Sequence, residues 1–339
     1  MNKIFIDTCF GEKTKYTPVW YMRQAGRYLP EYRKLKETYN ILDIVKNPEL
    51  AAKVSLQPVD ILGVDAAILF ADIMIPLLGV GVDLEIVENI GPVIKHPIKT
   101  LNDVKKLRAL EPQENIPYLL TTIEILKKEL KNKVPLIGFS AAPFTLASYL
   151  IEGKPTRDFI KTKSLMYNDK PTWELLMNTL SRMIITYLNA QVVSGVQALQ
   201  LFDSWVGCLS ESDYQEYVLP YTKPIFEHIQ HTNIPLIHFG TNTAGLLTSF
   251  SSVKSSVIGV DWRISIEKAW ERIGYDKAIQ GNLDPVLLLS DFSVIKKHVD
   301  EIFSKLPKRE GYIFNLGHGV LPSTPVENLQ RLTEYVHQK

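Results

Sequence analysis

Eight short apolar runs recur along this chain, each bounded by turn residues and separated from the next by a segment that carries helices. They are PVWYM (18–22), AAILFAD (66–72), VPLIGFS (134–140), VQALQLFDS (196–204), IPLIHFG (234–240), SVIGVDW (256–262), AIQGNLD (278–284) and YIFNLGHG (312–319). Continuous apolar runs of this length are typical of parallel strands buried on both faces. Strands that alternate with helices in this number predict a (β/α)8 barrel.

Two stretches depart from an ideal barrel. Residues 84–99, which follow the second run, show alternating polarity around an Asn-Ile-Gly-Pro turn and predict an inserted β-hairpin. Residues 30–62, after the first run, predict a long helical insert. Apolar spacing also predicts helices over residues 172–194 and 290–306. The sequence therefore predicts a single-domain, distorted (β/α)8 TIM barrel over residues 1–339, with a β-hairpin after the second strand.

The charge balance excludes several classes of partner. With 38 basic and 37 acidic residues the net charge is +1, so no global field attracts nucleic acid or an anionic membrane. The two cysteines, Cys9 and Cys208, lie far apart, which disfavours a disulfide framework and indicates a reducing compartment. The N-terminus lacks a signal-peptide pattern, and Asp72 and Pro76 interrupt the most apolar region. We expect a cytoplasmic protein that binds neither nucleic acid nor membranes.

Polar residues follow several of the apolar runs, where the active site of such a barrel lies. Arg23 and Arg27 follow the first run, Asp72 ends the second, Ser204 ends the fourth, and His318 lies between two glycines of the eighth. Mixed with aromatic residues, they indicate a pocket for a large amphipathic ligand. Each also has a structural interpretation: Asp72 could cap the following helix, and the arginines could pair with nearby acids. The flanking glycines would allow unusual backbone angles around His318.

Several familiar chemistries find no support in the sequence. It contains no Walker loop, no GxGxxG after a strand, no GxSxG elbow, no HExxH or CxxC pair, and no lysine at a strand end for a Schiff base. A magnesium site stays open, because aspartates end or follow four runs: Asp72, Asp203, Asp261 and Asp284. Tyr149 lies on an apolar helical stripe, where core packing is the ordinary role.

Five segments together resemble the uroporphyrinogen decarboxylase family. They are PVWYMRQAGRYLPEYR (18–33), FADIMIP (70–76), GFSAAPFTLASYLIEG (138–153), LQLFDSWVG (199–207) and FNLGHGVLP (314–322), so the resemblance extends over most of the chain. It implies a distorted (β/α)8 barrel that is usually a homodimer. It also implies removal of the carboxyl groups of the four acetate side chains of uroporphyrinogen III, giving coproporphyrinogen III in heme biosynthesis without a cofactor or metal.

The resemblance also implies roles for individual residues. The catalytic residues would be Asp72, Arg23 and Tyr149, and the residues that contact the tetrapyrrole substrate would be Arg23, Gln24, Arg27, Asp72, Tyr149, Ser204 and His318. The charge of Asp72 would stabilise a cationic intermediate, since a carboxylate accepts hydrogen bonds from pyrrole N–H groups. Arg23 and Arg27 would bind carboxylates. Gly26 is expected to let the loop turn so that both guanidinium groups face inward. The general acid is not assigned.

Three alternatives are weighed against this interpretation. Corrinoid-dependent methyltransferases with a similar barrel bind zinc through a His-x-Cys pair and a later cysteine; His238 is present here, but Gly240 replaces the cysteine, which disfavours a zinc site. An unrelated barrel could bind phosphate in the loops that contain residues 280–285 and 315–319. A non-catalytic tetrapyrrole carrier would need the arginines but not Asp72.

Overall fold

The strands of the computed structural model, which describes residues 3–87, 90–229 and 233–339, form a curled parallel sheet and a separate hairpin. They are β1 (Ala67–Ile68), β2 (Leu84–Val87), β3 (Gly91–Ile94), β4 (Leu136–Ala141), β5 (Ala198–Asp203), β6 (Leu236–Gly240), β7 (Val257–Gly259), β8 (Ala278–Leu283) and β9 (Tyr312–Leu316). Over the described ranges the sheet has seven strands in the order β1-β4-β5-β6-β7-β8-β9, each parallel to its neighbour. The predicted fold class, a distorted (β/α)8 barrel, is confirmed.

Helices fill the connections between the strands. They are α1 (Ile4–Cys9), α2 (Pro30–Lys36), α3 (Ile41–Lys46), α4 (Pro48–Leu62), α5 (Ile75–Gly79), α6 (Leu101–Val104), α7 (Pro112–Asn115), α8 (Pro117–Glu129), α9 (Pro143–Glu152), α10 (Ile160–Asn168), α11 (Lys170–Ser194), α12 (Glu211–Tyr217), α13 (Leu219–Glu227), α14 (Leu247–Phe250), α15 (Ile266–Ile273), α16 (Phe292–Lys305) and α17 (Val326–His337). The predicted helical insert at 30–62 is confirmed as α2, α3 and α4. The helices expected at 172–194 and 290–306 are confirmed as α11 and α16. No helix in the described ranges is long and apolar enough to span a membrane.

The first predicted strand is an irregular extended stretch, which we call the seam segment (residues 18–22). A single isolated parallel bridge joins its Val19 to Phe314 of β9, and the Val19 carbonyl accepts the Asp65 N–H at 2.8 Å. The Trp20 N–H donates to the Phe314 carbonyl at 3.4 Å, but side chains bind two other N–H groups of the segment. Asp65 Oδ2 accepts from Val19 at 2.8 Å, and Asn315 Oδ1 accepts from Met22 at 3.2 Å. The strand prediction for this run is wrong because side chains replace neighbouring carbonyls. The segment still lies between β9 and the start of β1 and closes the barrel.

The second predicted strand is much shorter than its apolar run. The run covers 66–72, but β1 contains only Ala67 and Ile68. The Phe70 N–H donates to Ser55 Oγ of α4 at 2.8 Å instead of to a neighbouring strand, so the chain leaves the sheet there. Residues 71–74 are therefore free to turn over the end of the barrel, which places Asp72 outside the ladder.

The predicted hairpin after this strand is confirmed. Strands β2 and β3 are antiparallel, with Leu84 opposite Ile94 and Val87 opposite Gly91. Lys95 extends the pairing with an ion pair to Glu85 at 2.7 Å. The predicted Asn-Ile-Gly-Pro turn falls partly outside the described residues, because Asn89 is not among them.

The barrel interior contains a buried polar chain within a large apolar core. Trp20 Nε1 donates to Gln280 Oε1 at 2.8 Å, and Gln280 Nε2 donates to Gln200 Oε1 at 3.1 Å. These bonds join the seam segment to β8 and β5 across the barrel. Around them, one cluster of buried apolar side chains extends from Phe5 in α1 to Val336 in α17. A core of this kind holds the strand ends rigidly, which is the condition for a site assembled from several strands.

Candidate active site

Arg23 leaves the seam segment in an unusual backbone conformation. Its φ is +61°, in the left-handed region, which a residue other than glycine adopts only at a cost of about 1 kcal/mol or more. Its side chain lies directly against Gly319: a Cβ added at Gly319 would overlap Arg23 Cδ and lie 2.6 Å from Cγ. Gly319 therefore provides the space that Arg23 occupies.

Gly26 has a different role from the one expected. Its backbone is not left-handed; the left-handed residue of this turn is Arg23. A Cβ at Gly26 would lie 2.9 Å from the Arg23 carbonyl oxygen, closer than such contacts normally come. Gly26 therefore permits a close backbone approach, while Arg23 itself makes the turn. The expectation that Gly26 supplies the turning freedom is wrong.

Gln24 is completely buried and its side chain is bonded inside the protein. Its Oε1 accepts from the Tyr21 N–H at 3.0 Å, and its Nε2 donates to the Ala66 carbonyl at 3.0 Å. Its own carbonyl accepts from Tyr28 Oη at 2.6 Å. These bonds tie the seam segment to β1 directly beside Arg23.

Asp72 lies in the turn between β1 and α5. Its Oδ1 accepts from the Met74 N–H at 2.8 Å, which fixes the turn before α5. The N-cap of α5 is Met74 and has no side-chain cap bond, so Asp72 does not cap this helix. Burial raises the pKa of Asp72, and the Met74 N–H and the charge of Arg23 partly oppose that rise. Solvent still reaches Asp72 and Arg23, although the protein around both is dense enough for burial to shift their pKa values. That combination is typical of the floor of a cleft.

Tyr149 faces the same two charges from helix α9. Burial and the charge of Asp72 raise the pKa of Tyr149, and Arg23 opposes that rise. The Tyr149 ring lies 4.1 Å from the ring of Trp205, centroid to centroid, which sets its position. The structure therefore brings Asp72, Arg23 and Tyr149 together from three separate parts of the sequence. Trp205 was missed by the sequence analysis; its place after the FDS motif was the available signal.

His318 and Ser204 follow β9 and β5. Burial and the charge of Arg23 lower the pKa of His318 to about 4. The two flanking glycines have ordinary backbone angles, because neither has a left-handed φ. The expectation of unusual angles is therefore wrong, and the glycines instead provide space for neighbouring groups. Ser204 is held through its carbonyl, which accepts from Thr241 Oγ1 at 2.6 Å.

Arg27 is exposed, and Tyr32 lies close to both Arg27 and Asp72. Burial raises the pKa of Tyr32 to about 12; Arg27 opposes that rise and Asp72 adds to it. Both charges therefore act on Tyr32. The centroid of its ring lies 5.4 Å from that of Phe70. Arg27 also contributes to lowering the pKa of Arg23, after burial. The two arginines form one positive region at the mouth of the cleft.

The other strand-end aspartates do not join Asp72. Asp203 is fully buried, with an oxygen 3.5 Å from Nε2 of His238. Asp261 is bonded to Arg263 at 2.5 Å, and Asp284 accepts from the N–H two residues later at 2.9 Å. Among residues 3–87, 90–229 and 233–339, no three His, Cys, Asp or Glu side chains gather as a metal site would require. The magnesium interpretation therefore loses its ligand set.

His238 is unsuited to the zinc role of the methyltransferase alternative. It is fully buried on β6, where strand alternation puts it on the face opposite to Phe239. Its ring stacks on Phe250 at 3.6 Å. A Cβ at Gly240 would lie 2.7 Å from Thr243 Cγ2, so the position that would carry a cysteine is closely packed. The donor set and the space for a thiolate are both missing.

Solved structures with similar folds include a methyltransferase from Methanosarcina mazei. It superposes with a TM-score of 0.83 at 19% identity, covering 99% of this chain and 98% of that one. A B12-independent methionine synthase from Shewanella sp. W3-18-1 gives a TM-score of 0.56 at 9% identity, covering 86% and 88% of the two chains. At these identities the likeness establishes the fold alone.

Sequence relatives are much closer. The model of the family described as uroporphyrinogen decarboxylase (URO-D) matches residues 1–339. A uroporphyrinogen decarboxylase from Carboxydothermus hydrogenoformans is 50% identical over 338 residues, covering 100% of this chain and 97% of that protein. One from Sorangium cellulosum is 48% identical over 337 residues, covering 99% and 96%. With its strand ends holding the residues of the family motifs, this chain belongs to the uroporphyrinogen decarboxylase family.

Proposed function

We propose that the protein decarboxylates the four acetate side chains of uroporphyrinogen III, giving coproporphyrinogen III and four CO2 in heme biosynthesis. The observation that carries the proposal is the meeting of Asp72, Arg23 and Tyr149 in one cleft at the barrel's strand ends. Full-length identity near 50% to uroporphyrinogen decarboxylases supports the same reaction. An enzyme that catalyses this reaction is a carboxy-lyase.

The chemistry of the substrate defines what the protein must supply. Loss of CO2 from a pyrrole acetate leaves an electron pair on the methylene carbon. Protonation of a pyrrole ring carbon beforehand creates a cationic ring that accepts this pair. A second proton then completes the methyl group, and the ring carbon loses its own proton, which restores the pyrrole, so that one proton is taken up for each CO2 released. The protein therefore needs a counter-charge for the cation, anchors for the carboxylates and a route for the proton, and the macrocycle itself provides the electron sink.

Asp72 is suited to the counter-charge. Its Oδ1 is fixed by Met74, and the structure shows no second hydrogen bond to its carboxylate within the described residues. Its buried surroundings screen the charge weakly, so a cation beside it is stabilised more than in water. Pyrrole N–H groups can donate to the carboxylate before the reaction, while the full charge interaction develops only with the cationic intermediate. This differential stabilisation is what lowers a barrier.

The remaining groups bind and orient. Arg23 and Arg27 would hold side-chain carboxylates with paired hydrogen bonds. His318, with its pKa lowered to about 4, is neutral near pH 7; it offers one N–H donor and one acceptor rather than an imidazolium proton. Tyr149 stays protonated because its pKa is raised, and it donates a hydrogen bond; Ser204 adds a hydroxyl.

Gln24 enters the proposal as a positioning residue. Both ends of its amide are bonded to backbone groups, of Tyr21 and Ala66, and the side chain is buried, so it would contribute to substrate binding through the backbone beside Arg23. Substitution of Gln24 would loosen the seam segment and displace Arg23.

The decisive test is incubation of the purified protein with enzymatically generated uroporphyrinogen III under anaerobic conditions. Products are oxidised and separated by chromatography. We expect the octacarboxylate to be converted to a tetracarboxylate. Substrate that binds without releasing CO2 would identify a carrier instead. Dialysis against a strong chelator is the companion experiment. Activity that is lost on dialysis and restored only by zinc would favour the methyltransferase alternative.

We also propose that residues 1–339 form one domain, that the protein is a homodimer and that it works in the cytoplasm. The continuous core supports one domain, and the free thiols of Cys9 and Cys208 fit a reducing compartment. Two large side chains of α10 are exposed, Ile160 at 71% and Tyr167 at 49%, which is compatible with self-association. Sedimentation equilibrium at micromolar concentration tests the dimer, and a monomer mass would contradict it.

A further inference from the structure

The turn after β7, which packs against the loop of His318, holds an arginine in a fixed position. Asp261, which is 1% exposed, binds Arg263 twice: its Oδ1 accepts from the backbone N–H at 3.0 Å, and its Oδ2 from Nη1 at 2.5 Å. Oδ2 also accepts from the Asn242 N–H at 2.6 Å. The guanidinium lies 4.3 Å from the ring centroid of Trp262. Arg263 is thus preorganised by a buried carboxylate and an aromatic face.

Arg263 retains the capacity to bind an anion. Its side chain is 46% exposed. A guanidinium has five N–H donors, and the side-chain bond to Asp261 uses one nitrogen, Nη1. An ordinary surface arginine would lose side-chain entropy on binding a carboxylate. Here the carboxylate and the indole have already restricted the side chain, so less entropy is lost.

The position of Arg263 relative to the cleft follows from the contact between two loops. A Cβ at Gly317 would lie 2.6 Å from Trp262 N and 3.0 Å from Asp261 Cα, so the turn rests against the loop that carries His318. Burial and the charge of Arg23 lower the pKa of His318, Asp261 opposes that lowering, and Arg263 adds to it. His318 is therefore close to both arginines and to the carboxylate that holds Arg263.

A second space beside Arg263 is less favourable for an anion. It is a cavity of about 370 Å3 between the turn, β8 and α16, and Arg263 is one of its lining residues. Its other charged lining residues are the carboxylates Asp284 and Glu301 and the bases Lys305 and His298. These carboxylates offset the positive groups. The charge balance thus favours an anion on the His318 side.

We infer that Arg263 is a further substrate-specificity residue: it binds a peripheral carboxylate of the macrocycle, on the side of His318 away from Arg23. This rests on the proposed function, because it assumes a ligand with carboxylates all around a ring. Arg23 and Arg27 serve one part of that circumference, and Arg263 serves another. The residue binds substrate without taking part in proton transfer, so its loss changes affinity much more than turnover.

The test compares Arg263→Gln with Arg331→Gln. Arg331 of α17 lies 4.0 Å from the ring centroid of Phe292 in α16, so it also packs on an aromatic ring. It is the matched control, because the inference gives it no part in substrate binding. Binding of the oxidised octacarboxylate uroporphyrin is measured by fluorescence quenching, beside coproporphyrin, which has half as many carboxylates. We expect Arg263→Gln to weaken uroporphyrin binding about tenfold and to raise KM for uroporphyrinogen similarly, with kcat within about twofold. Arg331→Gln should change each quantity less than about twofold.

Arg263→Lys separates binding from folding. It keeps the charge beside Asp261 but loses the planar fork, so we expect an intermediate loss of affinity. Thermal unfolding of each variant checks that it is folded. Uroporphyrin affinity of Arg263→Gln equal to that of Arg331→Gln overturns the inference, as does wild-type protein that does not bind uroporphyrin. Wild-type protein that binds uroporphyrin, depends on Arg263 and releases no CO2 would defeat the proposed function while supporting the inference.

Discussion

Two aspartates flank strand β1, and they are used in opposite ways. Asp65, before the strand, is 3% exposed and accepts from Tyr16 Oη at 3.0 Å and the Val19 N–H at 2.8 Å, with His337 Nε2 at 2.7 Å. Asp72, after the strand, accepts from one backbone N–H and has its pKa raised by burial. The first carboxylate is satisfied by the protein and closes the barrel. The second is left incompletely satisfied where a substrate would complete it.

The largest expected effect comes from removing the charge of the second aspartate. Asp72→Asn keeps the size of the side chain and can keep the Met74 bond, but it removes the proposed counter-charge. We expect kcat for uroporphyrinogen to fall at least about a hundredfold. Steady-state assays on protein with an unchanged circular dichroism spectrum measure this. Near-normal turnover would remove Asp72 from the mechanism and end the contrast with Asp65.

The matching change at the other end of β1 should affect stability instead. Asp65→Ala leaves the Val19 N–H and the Tyr16 hydroxyl without this acceptor and separates α17 from the seam segment. We expect a loss of about 2–4 kcal/mol in the free energy of unfolding, because several buried bonds to one charged group disappear. Urea denaturation measures it. The folded fraction should keep far more turnover than Asp72→Asn does, and the reverse order would contradict the assigned roles.

A smaller effect is expected from filling the space beside Arg23. Gly319→Ala places a methyl group where Arg23 Cδ lies, so the guanidinium must move relative to Asp72 and Tyr149. We expect kcat/KM to fall about tenfold, since small displacements of positioned groups are costly. The control is Gly245→Ala, where an added Cβ meets no atom within 4 Å. Equal kinetics for the two variants would show that Arg23 tolerates the displacement.

The smallest effect concerns pH and distinguishes the two aspartates thermodynamically. Because the folded state raises the pKa of Asp72, it binds more protons than the unfolded chain between the ordinary aspartate pKa of 3.8 and the raised pKa. Ionisation of Asp72 therefore costs stability as pH rises through that window. We expect Asp72→Asn to be more stable than wild type at pH 7, with the difference shrinking towards pH 4. Denaturant titrations at both pH values measure this, and a less stable Asp72→Asn at pH 7 would contradict the cost assigned to the buried charge.

Local pattern was enough to predict the alternation of strands and helices and the residues at the strand ends. The strands around Phe139 and Phe314 are predicted correctly, because a parallel strand that is buried on both faces appears in the sequence as a continuous apolar run. The seam segment is misread because Asp65 and Asn315, distant in sequence, replace its ladder partners. The predicted strand at β1 is too long, because the Phe70 N–H donates to Ser55 of α4 and not to a neighbouring strand. In both cases a side chain from another element competes with a neighbouring strand, and no local pattern reveals that.

The sequence by itself determined the barrel, the family and the set of candidate residues, because apolar periodicity and the five motifs are properties of the chain alone. Only the tertiary structure decided which of its aspartates face the cleft, that Gln24 is bonded inside the protein, and that Gly319 makes room for Arg23. The physical reason is that desolvation and hydrogen-bond satisfaction depend on atoms brought together from distant segments. Asp65 and Asp72 are the same residue type beside the same strand, and their surroundings alone separate a structural carboxylate from a proposed catalytic one.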